Sequence, residues 1–311
     1  MTLDAKEPPN PSSLEKREKL RAWLEKRAAV REQEWPLSEG QKALWFLCQF
    51  APENVAYNVP FAARIRSPLD VDLIRQALQV VTDRHPAART TFRQRDGEIV
   101  QVVHTEWQID FRRIDATGWT ETDLSQRVAD EAYRVFDLER GPLMRCAVFS
   151  LSDEEHVLCF SVHHIIGDFL SLVVLMSELR EIYTNIARGK TATLSPLKAH
   201  YGDFVRWQRE LVDGPRGEAH WDFWRTQLAG ELPVLDLPLD KPRPNLQTFH
   251  GAAIRFVLDG ALTKRLQQLA RDENVTLFTL LLAAYKVLLY RYTGQSDLCV
   301  GSPTAGRTMG D

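Results

Sequence analysis

The feature that most constrains this chain is a histidine doublet, His163 and His164, at the end of a short apolar run. Residues 156–162 are apolar and rich in β-forming side chains, which predicts a buried strand. Residues 171–188 place apolar side chains at helical spacing, and Gly189 supplies a stop signal. The doublet is therefore predicted to lie where a buried strand gives way to a loop and then to a helix.

Adjacent residues of a strand point to opposite faces, so His163 and His164 are expected to meet different surroundings. One ring should look into a reaction space and the other into packing. Asp168 follows in the turn, where it can cap the next helix or pair with a cation. Taken alone, a doublet at a strand end favours packing over catalysis.

Length and charge narrow the class of protein. A chain of 311 residues is too long for one ordinary compact domain, so two lobes are expected. A net charge of −3 gives no reason to expect a nucleic-acid partner. No apolar run reaches bilayer length and no signal core is present, so we expect no membrane partner and a cytoplasmic protein. The 4 cysteines are widely spaced, as in a reducing compartment.

Several chemistries lack their motifs. The sequence has no Gly-x-Ser-x-Gly elbow and no Gly-x-Gly-x-x-Gly. Gly189-Lys190-Thr191 fails as a P-loop end because Thr184 takes the upstream glycine position. A metal site built from His163, His164 and Asp168 is disfavoured because the side chains of neighbouring strand residues diverge, so no metal is expected.

The hydrophobic pattern alternates strands and helices and predicts an α/β fold. Asp96-Gly97 marks a hairpin turn, and the proline-rich residues 232–244 are predicted to be an extended linker. Predicted strands are 57–65, 91–95, 98–104, 107–113, 143–151, 156–162, 252–258 and 297–301. Predicted helices are 70–83, 121–135, 171–188, 201–211, 218–228, 261–272 and 276–292, with one more from Ser12 or Ser13 to about Glu32.

Four other segments carry recognisable motifs, and together with the histidine segment they occur in a recognisable order along the chain. They contain Ser38, Gln41, Leu44 and Trp45; Arg84, His85, Arg89, Thr90 and Phe92; Tyr201, Asp203, Phe204 and Trp207; and Gly301, Pro303, Ala305, Gly306 and Arg307. In this order they resemble the motifs of the condensation domains of nonribosomal peptide synthetases, whose histidine motif reads His-His-x-x-x-Asp-Gly. Those domains belong to the chloramphenicol-acetyltransferase-like superfamily.

The resemblance implies a fold and a domain plan. It implies a two-lobed α/β chloramphenicol-acetyltransferase-like fold with a complete N-terminal lobe, 35–215, and a partial C-terminal lobe, 216–311. Residues 1–34 would form either a solvated helix leaning on the first lobe or a linker and docking helix for an upstream carrier protein. Family members continue past the last motif found here, so we expect a folded 311-residue form with little or no condensation activity.

The resemblance also implies an activity and partners. Condensation domains form an amide between two carrier-bound thioesters, so the partners would be an upstream donor carrier and a downstream acceptor carrier. The substrates would arrive on phosphopantetheine arms, with no cofactor bound to the domain. His164 would be the catalytic residue, either as a base or by positioning the amine and stabilising the tetrahedral species.

The other site residues follow from the same motif. His163 is expected in the core, and Asp168 is expected to pair with Arg84, with Arg89 as the weaker candidate. Gly167 is assigned to structuring the site. Phe169, which stands where the family has glycine, and Ser171 are assigned to the substrate channel. A ring at position 169 should narrow the approach to His164.

Other functions remain open. A catalytically silent domain that recruits carriers is supported by Phe169, and an epimerisation domain shares the histidine motif. A heterocyclisation domain is disfavoured because that branch replaces the first histidine with aspartate, whereas His163 is present. A coenzyme-A acyltransferase of the superfamily would leave the other four elements unexplained.

Overall fold

The computed structural model describes residues 32–191, 194–245, 247–249 and 251–304. The chain divides into two units between Glu210 and Leu211, against the boundary at 215/216 predicted from the sequence. The predicted N-terminal helix lies outside the described residues except at Glu32. Gln33 and Glu34, assigned from the sequence to the linker, instead begin a strand of the first unit.

The first unit alternates strands and helices as predicted. Its elements are β1 (Gln33–Pro36), α1 (Glu39–Phe50), β2 (Asn58–Ile65), α2 (Val71–Arg84), a 3₁₀ turn (Pro86–Arg89), β3 (Thr90–Arg95), β4 (Glu98–Val103), β5 (Asp110–Asp115), α3 (Glu121–Ala132), β6 (Met144–Ser152), β7 (Glu155–His163) and α4 (Phe169–Ala187). A further helix, α5 (Tyr201–Val212), crosses the boundary between the units.

The larger sheet places the histidine strand in its interior. The strand order is β2-β7-β6-β5, with β7 antiparallel to both neighbours and β5 parallel to β6. Every residue of β7 after Glu155 is buried, as its continuous apolar run predicts. His163 pairs with Asn58 at the last rung of the ladder, so the doublet lies where the sheet ends.

Side chains of β7 alternate between two cores. Leu158, Phe160 and Val162 pack in a cluster with residues of α2 and α4, whereas Val157 and Cys159 pack in a cluster with residues of α3. This period of two is what a strand buried on both faces requires. The same alternation predicts opposite directions for the side chains of His163 and His164, whatever the conformation of the loop that follows.

A smaller sheet has the order β1-β4-β3. Its β3–β4 hairpin turns at Asp96 and Gly97, whose φ angles are 51° and 86°. Two positive φ angles define the type I′ turn that an Asp-Gly pair favours, so the predicted hairpin is confirmed.

Two predicted boundaries in the first unit were wrong for local reasons. β5 begins at Asp110 rather than at 107. The reason is that the Trp107 ring stacks on His104, and the Trp107 carbonyl oxygen accepts a hydrogen bond from Gln79. Helix α3 ends at Ala132 rather than at 135, because the Asn58 side chain donates to the carbonyl oxygens of residues 132 and 134.

The second unit contains the helices α6 (Pro215–Gln227), α7 (Gly260–Asp272) and α8 (Leu277–Thr293). The strands predicted over 252–258 and 297–301 are wrong, since neither segment pairs with a strand in the part of the chain that the structure describes. A strand needs a neighbour to bond its backbone, and sequence pattern alone does not supply one.

No single helix of the described ranges is long and apolar enough to cross a bilayer. Helices α7 and α8 meet that test by length and composition only when taken together, across a bend of 103°.

Candidate active site

His163 is held in the interior by contacts to both ring nitrogens. Its side chain is 3% exposed. Its Nδ1 accepts a hydrogen bond from the Ile165 backbone N–H at 3.1 Å, and its Nε2 lies 3.6 Å from Cys48 Sγ. Burial lowers the pKa of His163 to about 4, with smaller contributions from His164 and Arg145. His163 is therefore a neutral core residue, and the expected packing position is confirmed.

His164 faces the other way and is exposed. Its backbone N–H donates to the Tyr57 carbonyl at 2.8 Å, which extends the pairing of β2 and β7 by one residue. Its ring Nδ1 lies 3.0 Å from the carbonyl oxygen of Gly167. A carbonyl oxygen only accepts, so Nδ1 carries the proton and the lone pair of the neutral ring belongs to Nε2. The predicted divergence of the doublet is confirmed, with a basic nitrogen available on the exposed ring.

The loop after the doublet is tied to helix α1. Gln41, which is 3% exposed, donates from Nε2 to the Ile165 carbonyl at 3.1 Å. The sequence analysis marked Gln41 only as a motif residue. A glutamine among the apolar positions of a helix is the signal that could have indicated a buried polar contact.

Gly167 contributes its carbonyl rather than special backbone freedom. Its φ is not positive. A Cβ at this position would lie 3.4 Å from Val162 Cγ1 and from Ser171 Cβ, which is ordinary contact distance. The assignment of Gly167 to structuring the site stays a prediction, now with a specific contact behind it.

Asp168 is the N-cap of helix α4. Its carboxylate accepts from the Ser171 backbone N–H at 2.7 Å and from the Ser171 hydroxyl at 2.6 Å, and that hydroxyl accepts from the Asp168 N–H. This reciprocal capping box fixes the direction in which the chain enters α4. The capping role that the sequence left open for Asp168 is observed.

The predicted pair between Asp168 and Arg84 is wrong. Arg84 bonds Glu178 at 3.2 Å and the Ser195 carbonyl at 2.6 Å, and His85 bonds the second oxygen of Glu178 at 2.6 Å. Arg84 ends helix α2, which packs along the middle of α4. Glu178 lies on the order of 15 Å along α4 from the N-cap residue Asp168. Arg84 therefore pairs with a carboxylate in the middle of the helix and not with the one at its start.

Arg89, the weaker candidate, is engaged elsewhere. Its guanidinium donates to the His104 carbonyl oxygen. Both arginines of the second motif are therefore bonded to groups other than Asp168, which the linear motif did not reveal.

The two residues assigned to the substrate channel occupy the first turn of α4. Phe169 begins the helix and is 70% exposed, so its ring does not enter the core. The hydroxyl of Ser171 belongs to the capping box. The channel assignments themselves stay predictions.

The first turns of three helices meet beside this loop. The Tyr201 hydroxyl at the start of α5 lies 2.8 Å from the Ser38 hydroxyl, which caps α1. Burial raises the pKa of Tyr201, and the nearby carboxylate of Asp168 raises it further. Segments far apart in sequence are thus gathered around the histidine loop, whereas the element that includes Arg307 lies partly outside the described residues.

Metal-ligating side chains do not cluster in the described ranges. No group of three or more His, Cys, Asp or Glu side chains is placed there to hold an ion. The groups that the histidine loop itself offers are the exposed imidazole of His164, a helix N-terminus and backbone amides and carbonyls.

An α/β unit in which a buried strand ends in a His-His pair, one ring buried and the other exposed, followed by a capping aspartate, agrees with the condensation-domain resemblance of the sequence. The model of the condensation-domain family matches residues 31–311, and the chain belongs to that family. The family recognition and the chloramphenicol-acetyltransferase-like fold class predicted from the sequence are both confirmed.

Curated relatives are large synthetases. The chain is 38% identical over 277 residues to tyrocidine synthase 3 of Brevibacillus parabrevis, covering 89% of this chain and 4% of that protein. It is 36% identical over 282 residues to bacitracin synthase 2 of Bacillus licheniformis, covering 90% and 10%. The chain spans about a tenth or less of the length of these relatives. Only membership of the condensation-domain family therefore carries over directly.

Solved structures share the fold. The X-domain from teicoplanin biosynthesis is 31% identical with a TM-score of 0.75, over 84% of this chain and 58% of that one. A four-domain nonribosomal peptide synthetase bound to AMP and glycine matches with a TM-score of 0.79 at 24% identity, over 90% of this chain and 21% of that one. The second likeness concerns the fold alone.

Proposed function

We propose that this chain catalyses amide formation between an acyl or peptidyl thioester on a donor carrier protein and the amine of an aminoacyl thioester on an acceptor carrier protein. Membership of the condensation-domain family supports an acyltransferase that works with carrier domains. The observation that carries the proposal at this site is the exposed His164, in whose ring the bond from Nδ1 to Gly167 leaves the lone pair of the neutral form on Nε2.

The reaction needs one proton moved and one bond exchanged. The acceptor amine attacks the donor carbonyl carbon, a C–N bond forms, and the C–S bond to the donor phosphopantetheine arm breaks. The amine nitrogen loses a proton and the departing sulfur gains one. A neutral imidazole with a free Nε2 can take the first proton and return it to the sulfur, so no external base is required.

The same nitrogen can act without a full transfer. Held by Gly167, Nε2 has a fixed direction and can accept a hydrogen bond from the attacking amine, which orients it for attack. A solvent isotope effect separates the two roles. Removal of a proton by His164 in the rate-limiting step slows turnover in D₂O, whereas orientation alone gives a smaller solvent isotope effect.

The test uses the full-length protein with separately loaded carriers. A donor carrier bearing an N-acylaminoacyl thioester and a panel of aminoacyl-loaded acceptor carriers are mixed, and the acceptor-bound product is released by alkali and identified by mass spectrometry. The expected product is an amide on the acceptor carrier. An inverted stereocentre without amide formation would instead identify an epimerisation domain.

A binding role is the second candidate, and two observations favour it. The X-domain that this chain resembles has been solved in a complex with OxyB from teicoplanin biosynthesis, at 31% identity and a TM-score of 0.74. In this chain Phe169 departs from the family motif next to His164. Binding of loaded carriers without amide or epimer would support recruitment and overturn the catalytic proposal.

A further inference from the structure

The buried amide of Gln41 uses both of its ends. Its Oε1 accepts from the Ser38 backbone N–H at 3.0 Å, and its Nε2 donates to the Ile165 carbonyl oxygen at 3.1 Å and, over a longer 3.5 Å, to Gln101 Oε1. A backbone N–H can only donate and a carbonyl can only accept, so the two partners fix which end of the amide points where. Gln41 therefore joins the first turn of α1 to the histidine loop in a defined orientation.

The peptide groups around Ile165 have no freedom to rotate without breaking these bonds. The Ile165 N–H is held by His163 Nδ1 at 3.1 Å and its carbonyl by Gln41, and Ile165 itself is 2% exposed. The next bond along the chain runs from the Ile166 N–H to the His163 carbonyl at 3.0 Å. Two buried side chains thus set the path from His164 to Gly167.

We propose that Gln41 is a positioning residue for His164. By holding the Ile165 carbonyl it places the Gly167 carbonyl opposite His164 Nδ1, and so it selects the ring form whose lone pair lies on Nε2. The proposal rests on the function proposed for His164. Loss of the Gln41 donor would leave a buried carbonyl unsatisfied, and the loop would turn to find another partner.

The spacing of the opening motif follows from the same contacts. The Ser38 hydroxyl accepts from the Gln41 backbone N–H at 3.2 Å, so the two residues form the capping box that starts α1. A glutamine at the third position of a helix can cap backward with one end of its amide and reach the histidine loop with the other. A glutamate there would serve the cap and lose the second contact.

Gln41→Glu is therefore the sharpest variant. It keeps the shape and the acceptor for Ser38, but it sets an oxygen against the Ile165 carbonyl. We expect kcat to fall by about ten- to a hundredfold, with KM changed little, because a displaced catalytic group costs that much in rate. Lowering the pH protonates the introduced carboxyl and restores a donor, so the deficit should shrink toward acidic pH.

Ser38→Ala is the matched control. It removes the hydroxyl that caps α1 and leaves the contact between Gln41 and Ile165 in place. It should lower the unfolding temperature, as loss of a cap does, and keep kcat near the wild-type value. A general effect of destabilising α1 would lower kcat in both variants alike.

A readout without turnover completes the test. In protein labelled with ¹⁵N-histidine, the neutral form of the His164 ring should carry its proton on Nδ1 and not on Nε2 in the wild type and in Ser38→Ala. In Gln41→Glu the two forms should mix. Should Gln41→Glu fail to fold, Gln41→Met, an uncharged side chain of similar length, replaces it and should show the same mixing.

The outcomes separate the two proposals. A folded Gln41→Glu protein with wild-type ring signals and wild-type kcat overturns the positioning role. A lower unfolding temperature with unchanged kcat and unchanged signals also overturns it, because it leaves Gln41 a purely structural residue. If His164→Ala retains full turnover, the function proposed for His164 fails, and the ring signals still decide whether Gln41 sets the form of that ring.

Discussion

The ring of His164 and the carbonyl of Gly167 form a closed loop of four residues, with 3.0 Å between Nδ1 and the oxygen. The contact assigns the proton to Nδ1 and leaves Nε2 as the basic nitrogen of an exposed ring. Gly167 acts here through its backbone carbonyl oxygen, an atom that every residue has. The glycine itself is not required by the space or the φ angle at this position.

Gly167→Ala should accordingly retain its activity. The added methyl group meets Val162 and Ser171 at ordinary contact distance, so the free energy of unfolding should change by less than about 0.5 kcal/mol. Steady-state kinetics and thermal unfolding check both statements. A large loss of kcat with an intact fold would show that the site needs the open space of glycine.

Stability should depend on pH through His163. Its pKa is lowered by burial to about 4 in the folded protein, whereas an unfolded histidine titrates near 6.5. Between these values the unfolded chain takes up the proton, so stability is lost as pH falls from about 6.5 to about 4, by at most about 1.4 kcal/mol per pH unit. Denaturant unfolding across this range measures the loss.

His163→Asn is the control for that measurement. Its side-chain oxygen can still accept from the Ile165 N–H, but it has no proton to titrate. The variant should be less stable at neutral pH and should show a weaker pH dependence below about 6.5. An unchanged slope would assign the acid sensitivity to other groups.

Double-mutant cycles should show that Glu178, and not Asp168, is coupled to Arg84. Arg84 and Glu178 are 18% and 15% exposed and lie 3.2 Å apart. Unfolding of the single and double alanine variants should give a coupling of about 1–3 kcal/mol for this pair, as for contacting groups. The cycle of Arg84 with Asp168 should give about 0.5 kcal/mol or less. Comparable couplings in the two cycles would restore the predicted Asp168 pair.

Phe169→Gly should broaden the range of acceptors. The ring begins α4, lies next to the loop of His164 and is free of the core. Its removal should raise kcat/KM for bulky aminoacyl acceptors relative to small ones, with stability reduced by the glycine in the first helical turn. Competition between loaded carriers of different bulk measures the ratio. An unchanged ratio would place Phe169 outside the acceptor path.

The sequence predicted most of the first unit because local signals and tertiary structure agree there. The apolar run of β7, the Asp96-Gly97 turn and the helical spacing of α4 each have a cause in a few consecutive residues. The opposite directions of His163 and His164 also follow from strand geometry alone.

The contacts that the sequence did not predict depend on residues far apart in the chain. Glu178 as the partner of Arg84, and Ile165 as the partner of Gln41, are contacts between residues 94 and 124 positions apart in the sequence. No local pattern encodes which of several carboxylates a cation meets. The strands expected at 252–258 and 297–301 were wrong for the same reason, since a strand exists only with a neighbour to pair with.

The central claim is that His164 carries amide formation while His163 supports the fold. The most direct test is single-turnover amide formation between loaded donor and acceptor carriers by the full-length wild-type protein, His164→Ala and His163→Asn. We predict product from the wild type, none above background from a folded His164→Ala, and product from His163→Asn in proportion to its folded fraction. Wild-type turnover by His164→Ala, or a folded but inactive His163→Asn, would contradict the account.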